Sequence, residues 1–512
     1  MKPDPEPSPP SADLAALARG GRINFLGFVL RLAARLPFLF IAGRIYGAEA
    51  LGRFAYAILI VEFAAQLATL GLKRGLAQQL ADTDRPHTCI VWDALLVAAV
   101  GSALCMALLM VFPQAMFPNS EITGLEWLLP ITVIALAWSD IMLAALAYRS
   151  DVGATVRARA IVEPWTISIA ALAWSFISIR DGLIIAYVLS MVGAVIASII
   201  PFLKSYGLPR EWHPDPAGLA RMAWRYVPLA AADAIEWGSR RVDIAVLGLF
   251  FSPAVVGIYY VAQNVASLPA KLKTSFDPIL GPVVARNIAA GDKSAVAKQV
   301  RQVGFWVIAA QLGVALALAI PGEAVMGLVG PAFVAGTAAL AFLLFAEVVA
   351  AMAAVSEGAL IYVARHRNML ISFIMLALEA ALAIGLIIIM RDMKLPVMWQ
   401  ATGPAIGLML ALGFAAVAKS RLLCGLLGER VNGWRWPLVW AAAAGVIVGY
   451  LSTLLPEWAE LLFGIPGILI AFGAVMWTKG FRAEDRELFR MRKADIEELS
   501  LPSPADTADA PR

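Results

Sequence analysis

The residues best placed to do chemistry are charged side chains inside long apolar segments. The segment 224–250 carries five of them: Asp233, Glu236, Arg240, Arg241 and Asp243. On a continuous helix with about 100° between residues, all except Arg241 fall within an arc of roughly 80°. Their spacing therefore predicts one polar stripe along this helix.

A second apolar segment, 23–43, carries Arg31 and Arg35 one helical turn apart, with no acid within a turn on the same helix. A charge at mid-membrane costs roughly 2.5–3.5 kcal/mol, so such groups need water or partners. The planar guanidinium group binds phosphate oxygens in bidentate fashion. We therefore expect a hydrated cleft in which an anionic guest is bound by Arg31, Arg35, Arg240 and Arg241. The competing interpretation is that Glu236 with Arg240, and Arg35 with a carboxylate of 224–250, are ion pairs that tie helices together.

Weaker polar signals accompany these two segments. Lys271 and Lys273 are a candidate entry patch, although residues that only set membrane topology would look the same. Candidate sugar contacts are Glu62 with Gln66, four residues apart, and Gln263 with Asn264, although polar helix contacts would show the same pattern.

Carboxylates in a region of low dielectric are candidates for exchanging a proton or a sodium ion. Asp233 and Glu236 are the first choice because they share the predicted stripe with a cation, and Asp243 is a further coupling or pairing carboxylate. Glu163, one turn after Arg159, predicts an ion pair. Isolated carboxylates are expected at Asp93, Asp140, Glu347 and Glu379.

The segments that must position these groups are membrane helices. The chain is 61% hydrophobic and 15% charged, against about half and a quarter in soluble domains, which excludes a cytosolic enzyme. Fourteen segments are long and apolar enough to span a bilayer. Their predicted bounds are 23–43, 54–77, 88–112, 126–148, 159–179, 182–203, 224–250, 254–275, 302–321, 335–362, 368–390, 398–418, 436–455 and 458–478.

The distribution of Lys and Arg predicts the orientation. When residues near a span end are counted with the adjoining loop, 32 of the 41 fall on the side of the termini, five on the opposite side and four inside spans. The positive-inside rule then predicts that both termini are cytoplasmic. The Ala- and Arg-rich composition suggests a bacterial source, and therefore the inner membrane. Residues 1–22, with five prolines in the first ten, and residues 479–512 are expected to be cytoplasmic tails, the first of them disordered.

The loops leave no room for a catalytic domain, and no phosphate-binding Gly-Lys loop occurs, so the sequence predicts a protein that is not an enzyme. The three histidines lie on separate loops, and the three cysteines have no CxxC spacing, so neither a metal site nor a cofactor is expected. A net charge of +4 is too small to indicate nucleic-acid binding.

An internal repeat divides the chain. A shift of 205 residues aligns Gly43 with Gly248, Gly52 with Gly257, Phe54 with Tyr259, Ala57 with Ala262 and Arg35 with Arg240. Because six spans separate the copies, the two halves have the same orientation in the membrane. We expect an N-terminal six-helix bundle (23–203), a cytoplasmic linker (204–223), a C-terminal six-helix bundle (224–418) and two additional helices (436–478).

The sequence resembles a known family, the polysaccharide transporters of the multidrug/oligosaccharidyl-lipid/polysaccharide exporter superfamily. The resemblance covers nearly the whole chain and rests on loose motifs: YGAEALGRFAYA from Tyr46, LGLKRGLAQQLA from Leu70, FDPILGPVVARNIAAGD from Phe276, GPAFVAGTAALAFLLFAE from Gly330, and the turn Arg365 to Arg367. It implies a V-shaped all-α fold of about fourteen helices.

The resemblance also implies a function. The expected activity is that of a flippase, which moves a polyprenyl-pyrophosphate-linked oligosaccharide to the periplasmic leaflet for O-antigen, capsule or exopolysaccharide synthesis. Alternating access of a monomer, coupled to H⁺ or Na⁺, is the expected mechanism. A polysaccharide polymerase and glycosyltransferases are the expected partners. The alternatives are a cation-coupled exporter of drugs or metabolites, and a non-transporting scaffold for glycan assembly.

Overall fold

The computed structural model describes residues 36–81, 85–149, 151–209, 212–238, 241–274, 284, 287–288, 290–482 and 485. The secondary structure of these residues is helical, with no strand among them, which confirms an all-α membrane fold. Within the described ranges, nine helices are long and apolar enough to cross a membrane by length and composition, and Pro437–Ser452 is a shorter apolar helix. The count of fourteen spans is not confirmed, because several predicted spans are divided into shorter helices.

The first half contains six principal helices. They are α1 (Gly47–Ala68), α2 (Leu72–Ala81), α3 (His87–Val111), α4 (Thr132–Tyr148), α5 (Glu163–Trp174) and α6 (Gly182–Tyr206). A π turn, Ala42–Tyr46, leads into α1, and a 3₁₀ turn, Glu126–Ile131, leads into α4. The helices α1 to α6 pack on one another as one bundle, with Ala and Leu side chains in their buried faces.

Among the described residues, the second half contains ten principal helices. They are α7 (Pro216–Gly238), α8 (Val242–Phe250), α9 (Pro253–Thr274), α10 (Lys293–Ala319), α11 (Gly322–Val329), α12 (Thr337–Val363), α13 (Arg365–Asp392), α14 (Gly403–Leu427), α15 (Pro437–Ser452) and α16 (Ile465–Val475). The helices α9, α10, α12, α13 and α14 form a second bundle. Gly428, at a φ of 75°, ends α14 in the left-handed conformation that glycine adopts most easily.

The helix bounds follow the repeat that the sequence predicts. The 3₁₀ turns that begin at Glu126 and Pro331 lie 205 residues apart, as do the starts of α4 and α12. The starts of α3 and α10, at His87 and Lys293, differ by one residue from the same spacing. The two halves are therefore built from the same succession of elements, and α15 and α16 are an addition.

Polar contacts between loops show which helix ends lie together. At one end, Glu126 accepts from Arg53 at 2.6 Å and lies 3.4 Å from Arg180. At the other end, Asp93 contacts Arg85 at 3.1 Å and accepts from the Trp212 indole at 2.9 Å. Asp93 is therefore not isolated, as the sequence had suggested. Arg53 and Arg180 share one end, in agreement with the predicted alternation of loops.

The two additional helices are fastened to α10 by a buried ion pair. Asp485 is fully buried and accepts from Arg435 at 2.6 Å and from the Trp306 indole at 2.8 Å. The Arg435 guanidinium carbon lies 3.7 Å from the centre of the Phe305 ring, also on α10. These contacts join the chain before α15, the chain after α16 and the middle of α10 into one unit.

Candidate functional site

The segment 224–250 is not one continuous helix. Helix α7 ends at Gly238 and α8 begins at Val242, and Arg241 between them has a φ of −144° and a ψ of −1°, outside the helical region. The break changes the direction in which later side chains point. The expectation of one polar stripe from Asp233 to Asp243 is therefore wrong, because it assumed an unbroken helix.

The acids of α7 pair with the first bundle through Arg74 on α2. Arg74 Nε lies 2.7 Å from Asp233 Oδ1, and Arg74 Nη2 lies 2.5 Å from Glu236 Oε2. Gln66, on α1, lies beside Asp233. The sequence had placed Asp233 and Glu236 on a stripe with Arg240, whereas their described partner comes from the other half of the chain.

Backbone packing holds α7 against the same part of the first bundle. A Cβ atom on Gly71, before α2, would lie 2.6 Å from the Ala230 nitrogen and 2.9 Å from the Tyr226 carbonyl oxygen. The Tyr226 hydroxyl donates to Gln79 at 2.8 Å. Only glycine allows the two backbones to approach so closely. Helix α7 is therefore packed tightly against the first bundle.

Arg241, at the break, also pairs with the first bundle. Its Nη1 lies 2.7 Å from Glu62 Oε2 on α1, and its guanidinium carbon lies 5.1 Å from the centre of the Trp237 ring. Both side chains are partly exposed. Glu62, a candidate sugar contact in the sequence, thus neutralises one of the candidate phosphate-binding arginines.

A further ionic cluster lies on α2, α4 and the start of α5. Asp140 accepts from Lys73 at 3.0 Å and also pairs with Arg159. Arg159 Nη1 lies 2.9 Å from Glu163 Oε2, which confirms the ion pair predicted from their spacing. Asp140, which the sequence suggested was isolated, instead contacts two cations.

Asp243 belongs to the second bundle. It is fully buried and accepts from the Tyr259 hydroxyl at 2.8 Å, from the Ile244 backbone at 2.8 Å and from Gln263 Nε2 at 2.9 and 3.0 Å. Gln263, a candidate sugar contact, therefore orients a carboxylate. Asn264 donates to the Tyr260 carbonyl oxygen of its own helix at 2.8 Å.

Glu379 on α13 lies within electrostatic range of Asp243 and is also fully buried. Neither of its carboxylate oxygens has a hydrogen-bond partner among the described residues. Two acids from different helices thus meet in the interior of the second bundle. The sequence identified Glu379 only as an intramembrane carboxylate, because residues on α8 and α13 are far apart in the chain.

Several predicted site residues lie outside the described part of the chain. Arg31, Arg35 and Arg240 are among them, and so are the side chains of Lys271 and Lys273 on α9. Their roles in phosphate binding and substrate entry stay predictions.

The two bundles meet directly where α1 crosses α9. A Cβ atom on Gly52 would lie 1.7 Å from the Pro253 carbonyl oxygen, and one on Gly257 would lie 2.0 Å from the Ala48 carbonyl oxygen. Ala48 and Pro253, like Gly52 and Gly257, are 205 residues apart, so each half makes the same contact with the other. The pseudo-two-fold axis passes through this crossing.

A side-chain amide closes the same end. Asn119, in the loop between α3 and α4, donates to the carbonyl oxygens of Gly248 at 2.8 Å and Phe251 at 3.0 Å. These carbonyls lie at the junction of α8 and α9. The loop end of the first bundle is thereby held on the second bundle.

The sequence missed Arg74 as a site residue, although a signal for it was present. Lys73 and Arg74 directly follow an apolar helix and were counted as loop cations that set topology. The turn at Leu70 and Gly71, with φ values of 48° and 73°, instead directs α2 along the first bundle and places Arg74 against α7.

Comparisons with known proteins agree with this architecture. A family model described as "Polysaccharide biosynthesis protein" matches residues 41–329, more than half of the chain. No curated protein sequence matched the chain.

Solved structures of transporters share the fold at low sequence identity. A lipid II flippase, MurJ, in an inward closed conformation superposes with a TM-score of 0.64 at 12% identity, covering 88% of this chain and 98% of that one. An inward-facing MATE multidrug transporter of the MOP superfamily gives 0.61 at 11% identity, covering 78% and 98%. A MOP superfamily transporter from Pyrococcus furiosus gives 0.51 at 13% identity, covering 82% and 97%.

The family match, the repeated helix order and the shared fold lead to one conclusion. The chain belongs to the polysaccharide biosynthesis protein family, shares the fold of the MATE and MurJ structures, and is a multi-pass membrane protein.

Proposed function

We propose that the protein is a flippase that carries a polyprenyl-pyrophosphate-linked oligosaccharide from the cytoplasmic to the periplasmic leaflet for surface polysaccharide synthesis. The observation that carries this proposal is a belt of cations contributed by α2, by the turn before α5 and by the break after α7: Lys73, Arg74, Arg159 and Arg241. Phosphate groups have the charge and geometry that such a belt attracts. The family match to polysaccharide biosynthesis proteins supports the same substrate class.

In an alternating-access mechanism, this belt is the proposed binding site for the charged headgroup of the substrate. The end with the Gly52–Gly257 crossing and Asn119 is closed, and the distribution of Lys and Arg assigns that end to the periplasm. We propose that the headgroup enters from the cytoplasm, that Arg31, Arg35, Arg240 and Arg241 take part in binding its pyrophosphate, and that Lys271 and Lys273 border the entrance. Sugar contacts are proposed for the nearby polar groups Glu62, Gln66, Gln263 and Asn264.

We propose Asp243 as the coupling carboxylate for H⁺ or Na⁺. Asp233 and Glu236, the other two candidates, share the Arg74 guanidinium group. Asp243 instead accepts from a hydroxyl, an amide and a backbone N–H, and it has the buried acid Glu379 nearby.

Reconstitution tests this function directly. The purified full-length protein in proteoliposomes should move a fluorescent lipid-linked oligosaccharide between leaflets, and a deletion strain should lose surface polysaccharide. Arg241→Ala should reduce both activities while the protein level stays normal. Normal flipping and normal export by this variant would remove Arg241 from the site, and the absence of flipping by the wild-type protein would contradict the function itself.

Drug accumulation separates the flippase from a cation-coupled exporter. A deletion strain should retain a cationic dye no more than its parent does, because the proposed substrate is an anion. The scaffold alternative predicts that polysaccharide export survives neutralisation of the belt and is lost on truncation after Lys479.

A further inference from the structure

Arg74 has two acidic partners in very different environments. The Asp233 side chain is 1% exposed, whereas the Glu236 side chain is 56% exposed and that of Arg74 is 49% exposed. One guanidinium group thus joins a buried carboxylate to an exposed one. The two contacts use different atoms, Nε for Asp233 and Nη2 for Glu236.

The two contacts differ in how easily they can be exchanged. Removing a cation from a buried carboxylate leaves an uncompensated charge in a region of low dielectric, which is strongly unfavourable. An exposed ion pair is weak, because water and salt compete with it. The contact with Asp233 therefore holds Arg74 in place, and the contact with Glu236 is the one that another anion can replace.

The open edge of Arg74 has the chemistry of a phosphate site. The two Nη groups carry N–H donors in one plane, which match two oxygens of a phosphate group. Lys73, the preceding residue, is 44% exposed and adds positive charge. A carboxylate bound at this edge uses N–H donors that a phosphate group would otherwise use.

We propose that Glu236 is a placeholder for a substrate phosphate at Arg74, which gives up Glu236 and keeps Asp233 when the lipid-linked pyrophosphate binds. The proposal rests on the proposed function and adds a binding residue to it. It also connects binding with movement, because the exchange removes one of the ties between α7 and the first bundle.

The test is a binding measurement on the purified full-length protein with farnesyl diphosphate, and with farnesol as the probe that lacks phosphate. Glu236→Gln removes the competing carboxylate, so it should bind the diphosphate about two- to fivefold more tightly, the size expected when an exposed ion pair no longer has to be broken. Affinity for farnesol should stay unchanged. A purely structural ion pair predicts the reverse, namely weaker or equal binding by Glu236→Gln.

Arg74→Lys is the partner variant, because it keeps a cation beside Asp233 and removes the bidentate edge. It should bind the diphosphate about tenfold more weakly. In the double variant the gain from Glu236→Gln should disappear, since the competition exists only at Arg74. Asp151→Asn is the matched control, because Asp151 forms an exposed ion pair with Arg157 at 3.8 Å, away from α7.

The outcomes separate the two proposals. A wild-type protein that binds farnesyl diphosphate and farnesol alike would contradict the proposed function. A wild-type protein that prefers the diphosphate, with no gain in Glu236→Gln or with an equal gain in Asp151→Asn, would overturn the placeholder and leave the function standing. Inorganic pyrophosphate should show the same order of variants at lower affinity, and equal binding by all of them would also count against Arg74.

Discussion

Arg74, Arg159 and Arg241 show how a membrane protein keeps cations near its interior. Each has a carboxylate within hydrogen-bond distance, and each of those carboxylates lies on another helix or one turn away. The insertion cost of a lone charge is thereby offset before any substrate arrives. The sequence did not identify Glu62 as the partner of Arg241, because the two residues lie on different bundles and far apart in the linear chain.

Asp140 offers a test at the scale of one residue. Asp140→Asn leaves Lys73 without its described carboxylate and Arg159 with Glu163 alone, so the free energy of unfolding should fall by about 2 kcal/mol. Thermal unfolding of the purified protein measures the change. Asp151→Asn, in an exposed pair, should alter it by less than about 0.5 kcal/mol, and equal effects of the two variants would contradict the assigned role.

At the scale of elements, the main difference between prediction and structure is the span 224–250. It was predicted as one helix, and the structure has α7 and α8. The predicted spans 88–112 and 126–148 agree closely with His87–Val111 and with the helical segment Glu126–Tyr148, because long apolar runs determine them alone. The break after Gly238 depends on tertiary contacts: α7 packs on the first bundle and α8 on the second. The Gly-Ser pair that begins at Gly238 was the signal in the sequence, since such pairs often mark kinks.

Helices α15 and α16 give a test at the scale of elements. Asp485→Asn keeps an oxygen for the Trp306 indole and removes the charge that faces Arg435. The free energy of unfolding should fall by about 3 kcal/mol, as when one partner of a buried ion pair is lost. Unfolding in denaturant measures this, with Asp292→Asn as an exposed control that keeps its capping oxygen for Ala295. A change as small as that of the control would contradict the clamp.

The crossing of α1 and α9 gives another test at this scale. Gly52→Leu places a side chain where only hydrogen fits, so the closed end should open. A cysteine introduced at Ser120, after replacement of Cys89, Cys105 and Cys424 by serine, reports the opening through its reaction with a membrane-impermeant thiol reagent. Labelling should be faster in Gly52→Leu and unchanged in Gly385→Leu, because a Cβ atom at Gly385 meets no neighbour within 4 Å. Unchanged labelling in Gly52→Leu would contradict a sealed crossing.

The orientation of the whole molecule follows from its charges. The bias of 32 Lys and Arg against five predicts that both termini face the cytoplasm. Green fluorescent protein fused after Arg512 should therefore fluoresce, and alkaline phosphatase fused there should be inactive. A phosphatase fusion in the loop that follows Asp392 should be active. The opposite pattern would reverse the proposed direction of transport.

The division between α7 and α8 changes which peptide joins the moving parts. The hydrophilic stretch after Tyr206 looks like the linker, yet α7 beyond it packs on the first bundle through Gly71, Tyr226 and Arg74. The contacts of the chain therefore pass from the first bundle to the second between α7 and α8, and not at that hydrophilic stretch. Two fragments separated within residues 207–215 should still assemble when co-expressed, because α7 at the start of the second fragment docks on the first through these contacts. Separation after α7 should instead remove the covalent link between the two bundles and abolish transport.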